Sequence, residues 1–207
     1  MKLSEDLTRF ASHMELANLP YFELRDGDHL VLADPDLGPA IDFHTHLALA
    51  YVRSNRVDLH RAHPVTQHYL PMYRPLDLDV YQNRNFVPED LKRMSRDLTL
   101  SSLTSRGMRA THTIPNLKRE MADLQIQASV LLAIDYPALS DNARTWLEAS
   151  AGHSELVVFG SVHPYTRHVE RKLDRQKAMG ARGIKVHPAV QLVRPDWPRC
   201  VEFYRLC

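Results

Sequence analysis

The chain has 207 residues, 44% of them hydrophobic, enough to bury a core and suggesting one domain or one and a half. Its 26 basic and 25 acidic side chains leave a formal charge of +1; no net field draws it to nucleic acid or an anionic membrane, and a small-molecule substrate is the expected partner. The N-terminal MKLSEDLTRFASHMEL carries acids and no apolar core of signal-peptide length, and no window approaches the roughly 18 apolar residues of a membrane span, so the expected location is the cytoplasm.

Residues 1–38 read as an N-terminal extension. A short helix-like segment is followed by YFELRDGDHLVLADPD, two alternating runs flanking Asp26-Gly27-Asp28, which predicts a β-hairpin. The main domain, residues 39–207, begins with an apolar strand from Ile41 to Leu47. Residues 48–110 are rich in Pro, Arg and His and have no sustained period, so they are expected to form one long irregular loop, an insertion or lid.

From residue 110 the pattern becomes regular. THTIPNLKREMADLQIQ spaces Ile114, Leu117, Met121 and Leu124 as one helical face, with Thr113 as N-cap and Pro115 in the first turn. ASVLLAIDYP is then a nearly continuous apolar run, as in a strand buried on both faces of a parallel sheet. SDNARTWLEAS predicts a helix, ELVVFGSVHP a strand, RHVERKLDRQKAMG a helix closed by Gly180, RGIKVHP a strand, and DWPRCVEFYRLC a last helix. The expected strands are 41–47, 128–135, 156–162 and 183–187. Their alternation with helices argues for βαβ units in an α/β fold. Cys200 and Cys207, two turns apart in the last helix, are too distant for a disulfide and read as reduced thiols.

The chemistry gathers where the strands end. AIDFHTHLAL places His44 and His46 on one side of the first strand, together with Asp42, because side chains alternate. Two imidazoles at i and i+2 can share one divalent ion. Twelve histidines make a chance His-x-His common, but this pair falls at the C-terminal end of the first parallel strand, where α/β folds, and above all (β/α)8 barrels, assemble active sites. Lys185 and His187 share a face of the fourth strand. A lysine pointing inward is costly unless its charge is used or removed. It either becomes a CO2 carbamate that ligates metal, or reaches solvent or a substrate anion. His187, His163 and Asp135 occupy matching strand-end places before or beside a proline and read as substrate-binding or supporting residues. His60, His63 and His68 read as members of the loop and not as a metal cluster. There is no Gly-rich phosphate loop, no Gly-x-Ser-x-Gly and no Cys-x-x-Cys.

IDFHTHL followed by βα units and GIKVHP resembles the amidohydrolase superfamily, and most its amidohydrolase-related branch of metal-dependent hydrolases. The likeness covers about residues 38–50 and 110–207. It implies an incomplete (β/α)8 TIM-type barrel with about four βα units, and His44 and His46 as ligands of a divalent metal, zinc first, as one or two ions. Lys185 matches a strand-four lysine that is carboxylated and bridges two metals in some members, dihydroorotases among them; His187 then replaces a tyrosine. Strands five, six and eight, the last with the catalytic aspartate, have no counterpart in these 207 residues. The expectation is therefore a fragment of a longer protein, the alternative being completion by another chain, a homo-oligomer included. The implied activity is hydrolysis of a small amide, lactone or ester by a metal-activated water, absent from the isolated chain. The alternatives are a metal-dependent decarboxylase of the same branch and a non-catalytic binding module.

Overall fold

In the computed structural model, which describes residues 8–79 and 85–207, the chain enters through β1 (Arg9–Phe10) and a 3₁₀ turn at His13–Asn18. The expected hairpin follows as β2 (Phe22–Arg25) and β3 (His29–Leu32). Arg25 pairs with His29, and the intervening Asp26 and Gly27 take φ of 56° and 89°, the left-handed conformations a tight reversal needs. Strand β4 (Ala40–Thr45) comes next, and β5 (Leu76–Asp77) returns to pair antiparallel with β1. Phe10, Leu19 and Leu76 form a small apolar cluster there, apart from the main core.

Residues 48–110 are not one irregular loop. They contain helix α1 (Pro88–Thr99), with Pro88 in its first turn and Glu89 and Asp90 beside it, both favourable at a helix N-terminus. Apolar periodicity does not reveal this helix because its buried residues are carboxylates, Asp90 and Asp97. Asp90 holds Arg74 and Arg93, each at 3.0 Å. Asp97 accepts from the Tyr69 hydroxyl at 2.8 Å and from the backbone N–H of Met108 at 3.2 Å and Arg109 at 2.7 Å. The fully buried Arg109 guanidinium donates to the carbonyls of Leu49 and Thr104 and to the amide oxygen of Asn55. The segment's first residues lie inside the protein: Ala48, Leu49, Val57 and Leu59 belong to the main core.

Beyond residue 110 the expected helices and the second and third expected strands come in order, with one short helix, Pro188–Gln191, that the sequence pattern does not predict. They are α2 (Ile114–Asp123), β6 (Ile126–Leu132), α3 (Asn142–Ala149), β7 (Leu156–Phe159), α4 (Val169–Ala178), α5 (Pro188–Gln191) and α6 (Pro198–Leu206). Thr113 sits at the N-cap of α2, but its hydroxyl is buried without a hydrogen-bond partner and does not cap. Gly180, at φ 104°, follows the end of α4 as expected. Cys200 is buried, Cys207 is exposed, and both are free thiols.

Strands β4, β6 and β7 form one parallel sheet in that order. The fourth expected strand, 183–187, is reduced to a parallel bridge between Gly160 and Ile184. It is closed by the N–H of Gly160 to the Gly183 carbonyl and the N–H of Lys185 to the Gly160 carbonyl, each 2.8 Å. A Cβ on Gly183 would lie 2.6 Å from the Phe159 ring, so only glycine allows this close approach. The described residues are thus a mixed α/β structure with one parallel three-stranded sheet and two two-stranded ones, and they close no barrel. No helix among them is long and apolar enough to cross a membrane.

The parallel strands stop earlier than their apolar runs because side chains take over the backbone groups at their C-terminal ends. The N–H of Asp135 goes to the Ser161 hydroxyl at 2.9 Å, and the Gln176 amide brackets Ser161, accepting from its N–H at 2.9 Å and donating to its carbonyl at 3.0 Å. Asn142, fully buried at the start of α3, ties the strand end to the segment after β4. Its oxygen accepts the N–H of Ala50 at 2.9 Å, and its nitrogen donates to the carbonyls of Ala50 and Ile134, both at 2.8 Å. The Trp146 ring, also fully buried, donates to the Ala48 carbonyl at 3.3 Å. Replacing Asn142 with alanine strands an N–H and two carbonyls in the core. Denaturant titration of Asn142→Ala is expected to show a loss of about 2–4 kcal/mol with an unchanged m-value.

Candidate functional site

At the end of β4 the alternation places Asp42, His44 and His46 together, but Asp42 is used locally. Its carboxylate accepts the N–H of His44 at 2.8 Å and the hydroxyl of Thr45, and so finishes the strand. His46 follows as the chain leaves the sheet. Its Nδ1 lies 2.9 Å from the Leu132 carbonyl oxygen on β6. A carbonyl only accepts, so Nδ1 carries the proton and Nε2 keeps its lone pair. This arrangement, a second ring N–H held by a backbone carbonyl, is the one that orients a metal-binding imidazole. The His46 ring lies 6.3 Å from the Trp146 ring and 5.1 Å from that of His44, which meets it edge-on. Burial, reinforced by the nearby His44, lowers the pKa of His46 from 6.5 to about 4. The exposed His44 is also shifted down, by desolvation and then by Lys185, with Asp42 opposing.

Lys185 and His187 come from the fourth strand position. Lys185 is half-buried, and its Nζ has neither a hydrogen bond nor an ion pair among the described residues. Desolvation lowers its pKa. Its charge is among the causes that depress His44, His46 and His187, so these four side chains share one electrostatic neighbourhood. His187 accepts the N–H of Val190 on Nδ1 at 3.2 Å, capping α5, so its Nε2 carries the proton, with no partner among the described residues. Burial is again the first cause of its lowered pKa.

The other two expected residues do not join them. Asp135 is buried and its carboxylate is fully engaged, accepting from the Ser140 hydroxyl at 2.8 Å and from the N–H groups of Asn142 at 2.6 Å and Ala143 at 2.9 Å. It caps α3 from outside the helix; desolvation raises its pKa against these bonds. His163 accepts the N–H of Tyr165 on Nδ1 at 3.2 Å, so Nε2 donates to the Gln191 carbonyl at 3.0 Å and no lone pair remains for a metal. Both residues line a separate cavity of about 220 Å³ between α3 and α4. His68 pairs instead with Glu120 at 3.2 Å, and this bond raises its pKa.

Gln191 is the residue that the sequence does not flag. Buried at the end of α5, it accepts the N–H of His187 at 2.8 Å and donates to the Asp135 carbonyl at 3.0 Å, joining the ends of the second and fourth strand positions. Nothing in PAVQLV distinguishes it, because the signal is tertiary.

Among the described residues no three His, Cys, Asp or Glu side chains converge closely enough to hold a metal ion. His44 and His46 are both biased toward neutrality, and His46 presents a fixed Nε2, the form in which an imidazole can ligate a metal. Comparison with models of known protein families, with curated proteins and with solved structures finds no match.

Because the folded-state pKa of His46 lies below its unfolded value, the unfolded chain binds the extra proton between pH 6.5 and about 4, and stability falls as pH drops through that window. The loss from this group reaches up to about 3 kcal/mol. His46→Asn, whose amide N–H can still reach the Leu132 carbonyl, is expected to flatten this acid limb in urea unfolding followed from pH 7 to 4.

Proposed function

We propose that this chain carries part of the metal centre of an amidohydrolase-like, metal-dependent hydrolase, with His44 and His46 as ligands. The observation that carries the proposal is the bond from His46 Nδ1 to the Leu132 carbonyl, which leaves Nε2 free beside a second imidazole at the end of a parallel strand. The strand order β4, β6, β7 and then Ile184, the same as the order in the chain, supports the finer reading of an incomplete (β/α)8 barrel. A bound zinc or similar ion supplies a water of lowered pKa and a polarised substrate carbonyl. The chain's own residues bind and orient. The Leu132 carbonyl fixes the His46 tautomer, Trp146 backs its ring, and Gln191 holds the backbone of His187 opposite. Lys185, an amine with no acidic partner among the described residues, would either take up CO2 as a carbamate able to ligate the metal or meet a substrate anion. Among the described residues no third ligand converges on this pair, so such a centre would need further ligands and a general base from outside it. Small amides, lactones and esters are the proposed substrates.

Zinc content after equilibration and dialysis tests the pair. His44→Ala/His46→Ala is expected to bind zinc at least ~10-fold more weakly than the unmodified chain. Equal metal content in both, with equal circular dichroism, removes the ligand assignment and leaves a non-catalytic binding module. For Lys185, isotope-labelled bicarbonate is expected to give a carbamate carbon signal that disappears in Lys185→Ala; its absence from the metal-loaded chain takes Lys185 off the ligand set.

A further inference from the structure

We propose that the cavity between α3 and α4 is a binding site for a small oxyanion of the phosphate class, held by Lys172 and Arg175. It measures about 220 Å³, below the roughly 300–1,000 Å³ of drug-sized ligand sites, and so suits a small ion or a compact ester of it. Five of its lining residues bear charge besides His163: Arg144, Lys172, Arg175, Asp135 and Asp141.

The two carboxylates are already satisfied within the protein. Asp135 accepts from Ser140 and from the N-terminus of α3, which also removes that helix end as an anion site. Asp141 is paired with Arg144, and Arg144 is shared further with Glu148 at 3.3 Å. Charge is left over on α4 alone. Lys172 and Arg175 stand one turn apart on the same helix face, and neither forms an ion pair among the described residues. The Lys172 ammonium donates to the hydroxyl of the buried Thr166 at 2.6 Å, a neutral acceptor that aims the group without cancelling its charge. An ammonium has three protons, so two remain for a ligand. The Arg175 guanidinium has no hydrogen-bond acceptor among the described residues and keeps its full fork of donors. An oriented point charge beside a free planar fork matches an anion with several oxygens, and such charge-assisted bonds are the strong ones.

This site is independent of the metal reading, since none of His44, His46 and Lys185 lines it. Titration calorimetry of the full chain with inorganic phosphate, at constant ionic strength set with chloride, tests it. Saturable binding is expected, weakened at least ~10-fold in Lys172→Gln/Arg175→Gln. The control Arg171→Gln/Lys177→Gln changes the net charge equally at positions of the same helix that are exposed, as Lys172 and Arg175 are, but lie outside the cavity, and is expected to bind within about twofold of the unmodified chain. All three proteins are compared by circular dichroism first, and a misfolded double variant is replaced by the single Arg175→Gln. Absence of saturable binding, or an equal loss in the control, overturns the proposal.

Discussion

The C-terminal ends of the parallel strands are held by buried side chains and not by the backbone ladder, and the site exists because of this. Prolines at 137, 164 and 188 lack the N–H that a continuing ladder needs. Ser161, Asn142, Gln176 and Gln191 supply the missing partners. In a low-dielectric interior each such bond is strong and each broken one is costly. The strand ends are therefore fixed in place while their side chains are freed from sheet packing. Asn142 extends the same hold to the segment after β4 by gripping Ala50 through both its N–H and its carbonyl.

That rigidity sets the chemistry of the histidine pair. The Leu132 carbonyl is available to His46 because β6 ends at that residue. The ring is desolvated against Trp146, which is itself tied to Ala48. The proton is thus fixed on one nitrogen, and burial keeps a second proton off the other near neutral pH. Lys185 shares an electrostatic neighbourhood with imidazoles and has no carboxylate partner among the described residues, an arrangement that costs stability and is useful only if something else uses the amine.

Position at a strand end is not enough to make a residue part of this site. Asp135 and His163 stand where His46 and His187 stand, one or two units away. What separates them is how their hydrogen-bonding groups are used: Asp135 is saturated by the start of α3, and His163 has both nitrogens engaged, whereas His46 keeps a lone pair on Nε2 and His187 keeps an unused N–H there. The polar face of α1 shows the same effect in the fold. Asp90 and Asp97 look like solvent-exposed charges, yet they are buried because Arg74, Arg93, Tyr69 and Arg109 come to meet them.

Local patterning determined the hairpin at Asp26-Gly27-Asp28, the alternation of helices and parallel strands after residue 110, and the His-x-His at a strand end. Each depends on neighbours in the chain: a turn that needs positive φ, an apolar period, a pleat that alternates. Tertiary structure decided the rest. It revealed α1, whose inward face is ionic. It cut the fourth strand to a bridge at Ile184, where side chains replace the ladder. It divided the strand-end polar residues into an open group around His46 and Lys185 and a satisfied one around Asp135. The physical reason is the same in each case, because whether a polar group is free or spent depends on which partners the fold brings to it, from a few residues away, as Ser140, Asn142 and Ala143 are for Asp135, to the far side of the sheet, as Leu132 is for His46 and Ala50 for Asn142.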